Sequence, residues 1–191
     1  MSEMKKDDSH RRILNSAGSI LRKRGIAGTS VAEVMGGAGM TVGGFYAHFR
    51  SKEALVAETL RDALRESRAR LAAAAGLKSG AEWVKAVSRA YLSRAHRDSP
   101  EMGCPLPATA GEAALAGAAV RTVLAGELDI LVEDMTQQLR EAGAPASRSE
   151  ALALAATMVG GLTLARAVTG TPLSDELLKA CRDHIDRSLP A

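Results

Sequence analysis

The sequence is short of aromatic residues, since only five of its 191 residues are Phe, Tyr or Trp. Three of these five fall within residues 45–49. A core elsewhere must therefore consist mainly of Ala, Leu, Val, Ile and Met. The hydrophobic fraction is nevertheless 46% and the charged fraction 25%, which is typical of a globular protein with a sizeable core.

Cysteine is also scarce, and Cys104 and Cys181 alone exclude a disulfide framework. The charged N-terminus has no apolar run of the signal-peptide kind. The most apolar stretch, residues 151–168, is interrupted by Arg166 and is short for a membrane span, so a buried helix is favoured. The four histidines lack metal-ligand spacing. We expect a cytoplasmic protein without a metal or cofactor.

Acidic residues are few in the N-terminal quarter of the chain. Residues 1–52 hold nine Lys and Arg but four acidic side chains, a net charge of +5. The remaining residues hold sixteen basic and eighteen acidic side chains, a net charge of −2. This asymmetry favours a polyanionic partner at one end of the chain, although a solvated basic surface would look the same.

Strand-like alternation is absent from the sequence, and helical periodicity is present almost throughout. The pattern predicts an all-α protein of about nine helices. Helices are predicted at about 12–24, 30–37, 41–48, 51–75, 81–97, 105–116, 118–142, 147–169 and 174–188. Breaks are predicted at Ser99-Pro100, Gly143-Ala-Pro145 and Gly170-Thr-Pro172.

The most informative segment is residues 30–49, which has the pattern of a helix-turn-helix. Ser30 and Glu33 form a capping box at the start of a short helix. Gly39 stands where the chain must turn, and Phe45 and Phe49 are spaced to pack on one helix face. The rest of the second helix is small or polar, which suits close approach to a DNA groove.

Residues 10–60 resemble the TetR family of repressors. The matching residues are Thr29-Ser30-Val31, Ala38-Gly39-Met40-Thr41, Gly43, Phe45-Tyr46, His48-Phe49 and Ser51-Lys52-Glu53-Ala54-Leu55. The resemblance implies that Thr41, Val42, Gly43 and Gly44 face base edges, and that Ser30, Tyr46, His48 and Lys52 contact phosphates. It also implies a DNA-binding domain over residues 1–52, and a ligand-binding and dimerisation domain over 53–191.

Two consequences of the resemblance concern partners. Double-stranded operator DNA is the first expected partner, and a small effector is the second. A homodimer is expected through residues about 147–188, with an ordinary intrachain bundle as the alternative. The predicted recognition helix lacks Arg, Asn and Gln, the usual readers of G and A, so its sequence does not define the operator.

The predicted body offers only general candidates for an effector pocket. They are Trp83, Tyr91, Met102, Cys104, Met135 and Met158. Plain core packing explains the same residues equally well. Cys104 lies between predicted helices in Met102-Gly-Cys-Pro, and burial in a tight loop is favoured over reactivity.

The sequence therefore favours a ligand-responsive transcriptional regulator, expected to be a repressor and not an enzyme. A second hypothesis is a repressor that senses oxidants or electrophiles through Cys104, whose response a Cys104→Ser variant would lose. A third, from another class, is a helical cysteine hydrolase, which would need a base near Cys104. A fourth is an architectural DNA-binding protein without an effector.

The predicted phosphate contact of Lys52 is directly testable. Lys52→Ala should weaken binding to all DNA sequences and lower the slope of log affinity against log salt by about one, because one cation no longer displaces counterions. Titrations at several salt concentrations measure this slope, and an unchanged slope contradicts the assignment.

Overall fold

The computed structural model describes residues 2–141 and 147–189, with side chains from residue 6 onward. Within these residues the chain forms nine α-helices and two short 3-10 helices and no strand, which confirms the predicted all-α class. The predicted break at Gly143-Ala-Pro145 lies outside the described residues.

Most helix bounds lie close to those predicted from the sequence. The α-helices are α1 (Ser2–Arg24), α2 (Val31–Gly37), α3 (Lys52–Ala75), α4 (Gly80–Tyr91), α5 (Arg94–Asp98), α6 (Leu106–Ala113), α7 (Ala118–Glu141), α8 (Arg148–Ala167) and α9 (Pro172–Ser188). The 3-10 helices are η1 (Val42–Ala47) and η2 (Pro100–Met102).

Three local predictions about helices need correction. Helix α1 begins about ten residues before the apolar periodicity does. The helix predicted over 81–97 is two helices, because Ser93 starts a new one by accepting a hydrogen bond from the His96 amide at 3.1 Å. The predicted recognition helix is a 3-10 helix, and its two glycines, Gly43 and Gly44, favour regular α-helix poorly.

The chain divides into two compact units. The first unit contains the residues up to Arg65 together with Cys104–Gly126, and the second contains Glu66–Gly103 and the residues from Glu127 onward. Both α3 and α7 contribute residues to each unit. These units are defined by compactness. The predicted boundary between a DNA-binding domain ending at residue 52 and a ligand-binding domain beginning at residue 53 is defined by function and stays a prediction.

The core of the first unit forms where α1, α2, η1 and the start of α3 meet. Its buried residues are Ile13, Ala17, Val34, Met35, Ala38, Phe45, Phe49 and Leu55. The rings of Phe45 and Phe49 are stacked with centroids 5.8 Å apart. Burial of these two rings fixes how η1 is rotated about its axis, so the rest of η1 faces outward.

In the second unit, α8 packs along α9, and α4 packs against both. Gly161 permits this close approach, because a Cβ there would lie 2.6 Å from the Cys181 Sγ of α9. This close packing of α8 on α9 occurs within one chain.

By length and composition, α8 is the one helix among the described residues that could cross a membrane. Such a helix is weak support for a membrane span, because the core helix of a water-soluble protein has the same properties.

The turn between α2 and η1 is a Schellman motif. The Met40 amide donates to the Met35 carbonyl at 2.9 Å, and the Gly39 amide donates to the Gly36 carbonyl at 3.0 Å. Gly39 has φ +69°, and a Cβ there would lie 2.7 Å from the Arg12 guanidinium, which donates to the Ala38 carbonyl. Two separate reasons therefore favour glycine at position 39: the positive φ of the backbone, and the lack of room for a Cβ beside Arg12.

We expect Gly39→Ala to destabilise the protein by about 1–2 kcal/mol, because an L-residue at positive φ is strained. Gly36→Ala is the matched control three residues earlier, since its Cβ would meet no other atom within 4 Å and its site is helical. The control should stabilise by up to about 1 kcal/mol. Urea unfolding measures both, and equal effects would contradict the role of Gly39.

Candidate nucleic-acid interface

The predicted recognition segment η1 exposes most of its residues to solvent. Val42 is 50% exposed and Tyr46 is 77% exposed, whereas Phe45 is 2% exposed. Thr41 and Ala47 are also exposed. A Cβ at Gly43 would meet no atom within 4 Å, so packing inside the protein does not require glycine there. The missing side chain instead leaves the backbone of η1 accessible from outside. A DNA backbone or base edge can therefore come close to η1.

Ser30 and Lys52 stand at the starts of α2 and α3. Ser30 Oγ accepts a hydrogen bond from the Glu33 amide at 3.2 Å, which confirms the predicted N-cap and leaves the hydroxyl hydrogen to donate. Ser51 Oγ accepts from the Ala54 amide at 3.0 Å, and Lys52 follows it as an exposed residue. Both side chains have a group that could donate to a phosphate, and the predicted phosphate contacts stay predictions.

His48 is only partly exposed, and its Nδ1 is buried without a hydrogen-bond partner. Burial is the main reason that the pKa of His48 lies below its usual value, and the positive charges of His10 and Lys6 lower it further. At neutral pH His48 therefore carries a proton less readily than an ordinary histidine does. A role as a phosphate contact would depend on a neutral N–H donor or on the approach of an anion.

Sequence reasoning missed His10, which holds this region together. Its ring stacks on Phe49 with centroids 4.6 Å apart and lies 5.9 Å from the His48 ring. Its Nε2 lies 2.7 Å from the Glu58 Oε1 of α3. The contacts join residues 38 to 48 positions apart, so no local pattern could have revealed them.

The basic character of the N-terminal segment is less exposed than its net charge suggests. Arg22 is 8% exposed, and Arg24 forms an ion pair with Glu33 at 2.9 Å. By contrast, the side chains of Lys6, Arg11, Arg50 and Lys52 are exposed. The cations available to a polyanion thus lie near the start of α1 and on both sides of Ser51.

The candidate pocket residues do not form one group. Met135 and Met158 are buried in the second unit, as is Tyr91, and Trp83 there is partly buried. Met158 Sδ accepts a hydrogen bond from Ser88 Oγ at 3.6 Å. Met102 is 64% exposed, and Cys104, although 4% exposed, belongs to the first unit. Among the described residues, no group of three or more His, Cys, Asp and Glu could hold a metal ion.

Comparison with known proteins confirms the resemblance to the TetR family. Residues 13–59 match the family model described as bacterial regulatory proteins of the tetR family. This range contains α1 from Ile13, α2, η1 and the first turns of α3. The sequence likeness to TetR-family regulatory proteins therefore lies in the N-terminal segment of the chain. No curated protein matches the chain significantly.

Solved structures share the fold over nearly the whole chain. Reduced NemR from E. coli is similar with a TM-score of 0.82 and 20% identity, covering 96% of this chain and 99% of that one. A TetR-family regulator from Cytophaga hutchinsonii has a TM-score of 0.81 and 21% identity, with 98% and 97% covered. One from Chloroflexus aurantiacus has a TM-score of 0.79 and 24% identity, with 96% and 95% covered.

The proximity of His10 predicts that replacing it changes the pKa of His48. In a His10→Gln variant the pKa of His48 should rise toward its usual value of about 6.5, because a neighbouring positive charge is lost. It should remain below that value, because burial is the larger cause. NMR titration of the His48 ring measures this, and an unchanged midpoint would show that the two rings do not interact.

Proposed function

We propose that this protein is a cytoplasmic homodimeric repressor that binds a near-palindromic operator and is released from it by a small effector. The observation that carries the DNA-binding part is the arrangement of the first unit. Its segment Thr41–Ala47, mostly exposed apart from the buried Phe45, stands in the sequence between the proposed phosphate donors Ser30 and Lys52, in a region that matches the TetR family.

Base recognition would depend on shape and methyl contacts more than on bidentate hydrogen bonds. Val42, half exposed, and Thr41 can touch thymine methyl groups, while Gly43 and Gly44 let the backbone approach the groove. Tyr46, which is largely exposed, and His48 would bind the flanking phosphates. The specificity for DNA sequence would then depend mainly on the recognition of A·T pairs and on how easily the DNA site deforms.

Dimerisation through α8 and α9 is supported by the apolar groups that they leave uncovered. Leu152 and Leu164 of α8 are 48% and 56% exposed, and Leu173 of α9 is 50% exposed. A twofold axis through this surface would pair it with its own copy. Two recognition segments about 34 Å apart could then enter successive major grooves.

The effector response would be a population shift in the dimer. An effector bound among buried apolar residues of the second unit, such as Tyr91, Met135 and Met158, would favour a conformation whose recognition segments no longer match the groove spacing. Helix α3, which contributes residues to both units, is the proposed lever.

A thiol response through Cys104 is a second candidate. It is supported by the similarity to NemR, a protein described in its reduced form. His96 Nδ1 donates a hydrogen bond to the Tyr91 carbonyl at 2.7 Å, and a Cβ at Gly103 would lie 2.5 Å from His96 Nε2. Cys104, the next residue, is almost fully buried, so an oxidant would have to reach it through an opening of the structure.

The proposed function is tested by selecting bound duplexes from a random library with the purified full-length protein. We expect a near-palindromic site with half-sites about one helical turn apart, bound about 10³-fold or more tightly than random DNA. The selected duplex then serves as the probe for an effector-release screen.

Salt dependence separates the possible outcomes of this selection. A specific site should retain a large preference over random DNA at every salt concentration, because base contacts do not release counterions. Weak binding without sequence preference would support an architectural protein and contradict the regulator. No binding at all would contradict both.

A further inference from the structure

Two carboxylates in the first unit hold backbone amides that are far away in sequence. Glu112 of α6 accepts hydrogen bonds from the amides of Ile26 and Ala27, the latter at 3.2 Å. Both amides belong to the turn that joins α1 to α2. Gly25 in that turn has φ +71°, and a Cβ there would lie 2.7 Å from the Ala108 carbonyl of α6. The turn therefore rests directly on α6.

The second carboxylate, Glu53, lies in the first turn of α3. Its Oε1 accepts a hydrogen bond from the Ala119 amide at 3.1 Å, next to the first residue of α7. One of the amides that α7 cannot satisfy within itself is satisfied in this way. A Cβ at Gly117 would overlap the Glu53 carboxylate, so this contact requires glycine at that position.

These two contacts lie beside the two predicted phosphate donors. Ala27, whose amide donates to Glu112, lies three residues before Ser30 in the sequence. Glu53 is the residue after Lys52. We propose that the segment Leu106–Ala119 sets the spacing of Ser30 and Lys52 through Glu112 and Glu53, which are positioning residues for DNA binding. The proposal rests on the proposed DNA-binding function.

The segment also offers a route for regulation besides the lever α3. Helix α7 continues without a break from Ala118 to Glu141, and its residues from Glu127 onward belong to the second unit. A shift of α7 along its axis would displace the Ala119 amide and thus the Glu53 carboxylate beside Lys52. DNA affinity would then respond to α7 without any change in the residues that touch DNA.

Substitutions that remove only the hydrogen-bond acceptor test the proposal. Glu112→Ala and Glu53→Ala should each weaken binding to the selected operator about tenfold, the usual effect of losing a charge-assisted hydrogen bond. Glu112→Gln and Glu53→Gln should retain most of the affinity, because the amide oxygen still accepts.

Two neighbouring substitutions serve as matched controls. Gly111→Ala lies beside Glu112 on α6, and its added Cβ would meet no atom within 4 Å. Thr122→Ala removes an exposed side chain from the first turns of α7. Both variants should bind the operator as the wild type does, because neither changes the contacts of Glu112 or Glu53.

Gly117→Ala provides a variant in which Glu53 itself is untouched. The added methyl must push the Glu53 carboxylate away from Ala119, so this variant should weaken binding as Glu53→Ala does. The double variant should be no weaker than either single one, because both remove the same contact. Additive losses would overturn the proposal for Glu53, and full affinity in the folded alanine variants would overturn it for both residues.

Hydrogen exchange of the wild-type protein is decisive even where a variant does not fold. The selected operator should slow exchange at the amides of Ile26, Ala27 and Ala119, which are outside the proposed DNA contacts, as well as at Thr41–Ala47. Protection at 41–47 alone would overturn the proposal while leaving DNA binding intact. No protection anywhere would show instead that the protein does not bind the duplex.

Discussion

The burial of two phenylalanine rings determines which side of the proposed DNA-binding segment η1 faces solvent. Phe45 and Phe49 pack into the core beside Ile13 and Ala17 of α1, and no other part of the described chain gathers aromatic rings so densely. Because η1 is short and contains two glycines, its own hydrogen bonds cannot fix its orientation. Core packing does so instead, and Val42 and Tyr46 consequently face solvent.

Local features of the first unit were predictable from the sequence because their causes are local. The Ser30 cap and the Gly39 turn each depend on residues within five positions, and both have the expected geometry. The stacking of His10 on Phe49 and the contacts of Glu112 and Glu53 join residues 39 to 86 positions apart. No pattern in a single sequence indicates such pairs, so the structure alone revealed them.

The helices of the second unit were predictable, but its candidate pocket was not. Helical periodicity identifies which residues are buried, and Met135 and Met158 are indeed inside. It does not show which buried residues face one another, since a core of Ala, Leu and Met can pack in many ways. Met102 is an example, because an apolar residue between two predicted helices can be 64% exposed, as it is here, or can line a pocket.

The first unit is discontinuous in sequence, and this affects the order in which the protein can fold during synthesis. Residues 66–103 leave the ribosome before Cys104–Gly126, which supply Glu112 and the start of α7. The N-terminal helices must therefore wait for α6 before the unit is complete. By the same reasoning, a chimera that takes the first unit from a relative must exchange two segments of the sequence. Residues 1–65 alone would lack Cys104–Gly126, which complete the unit.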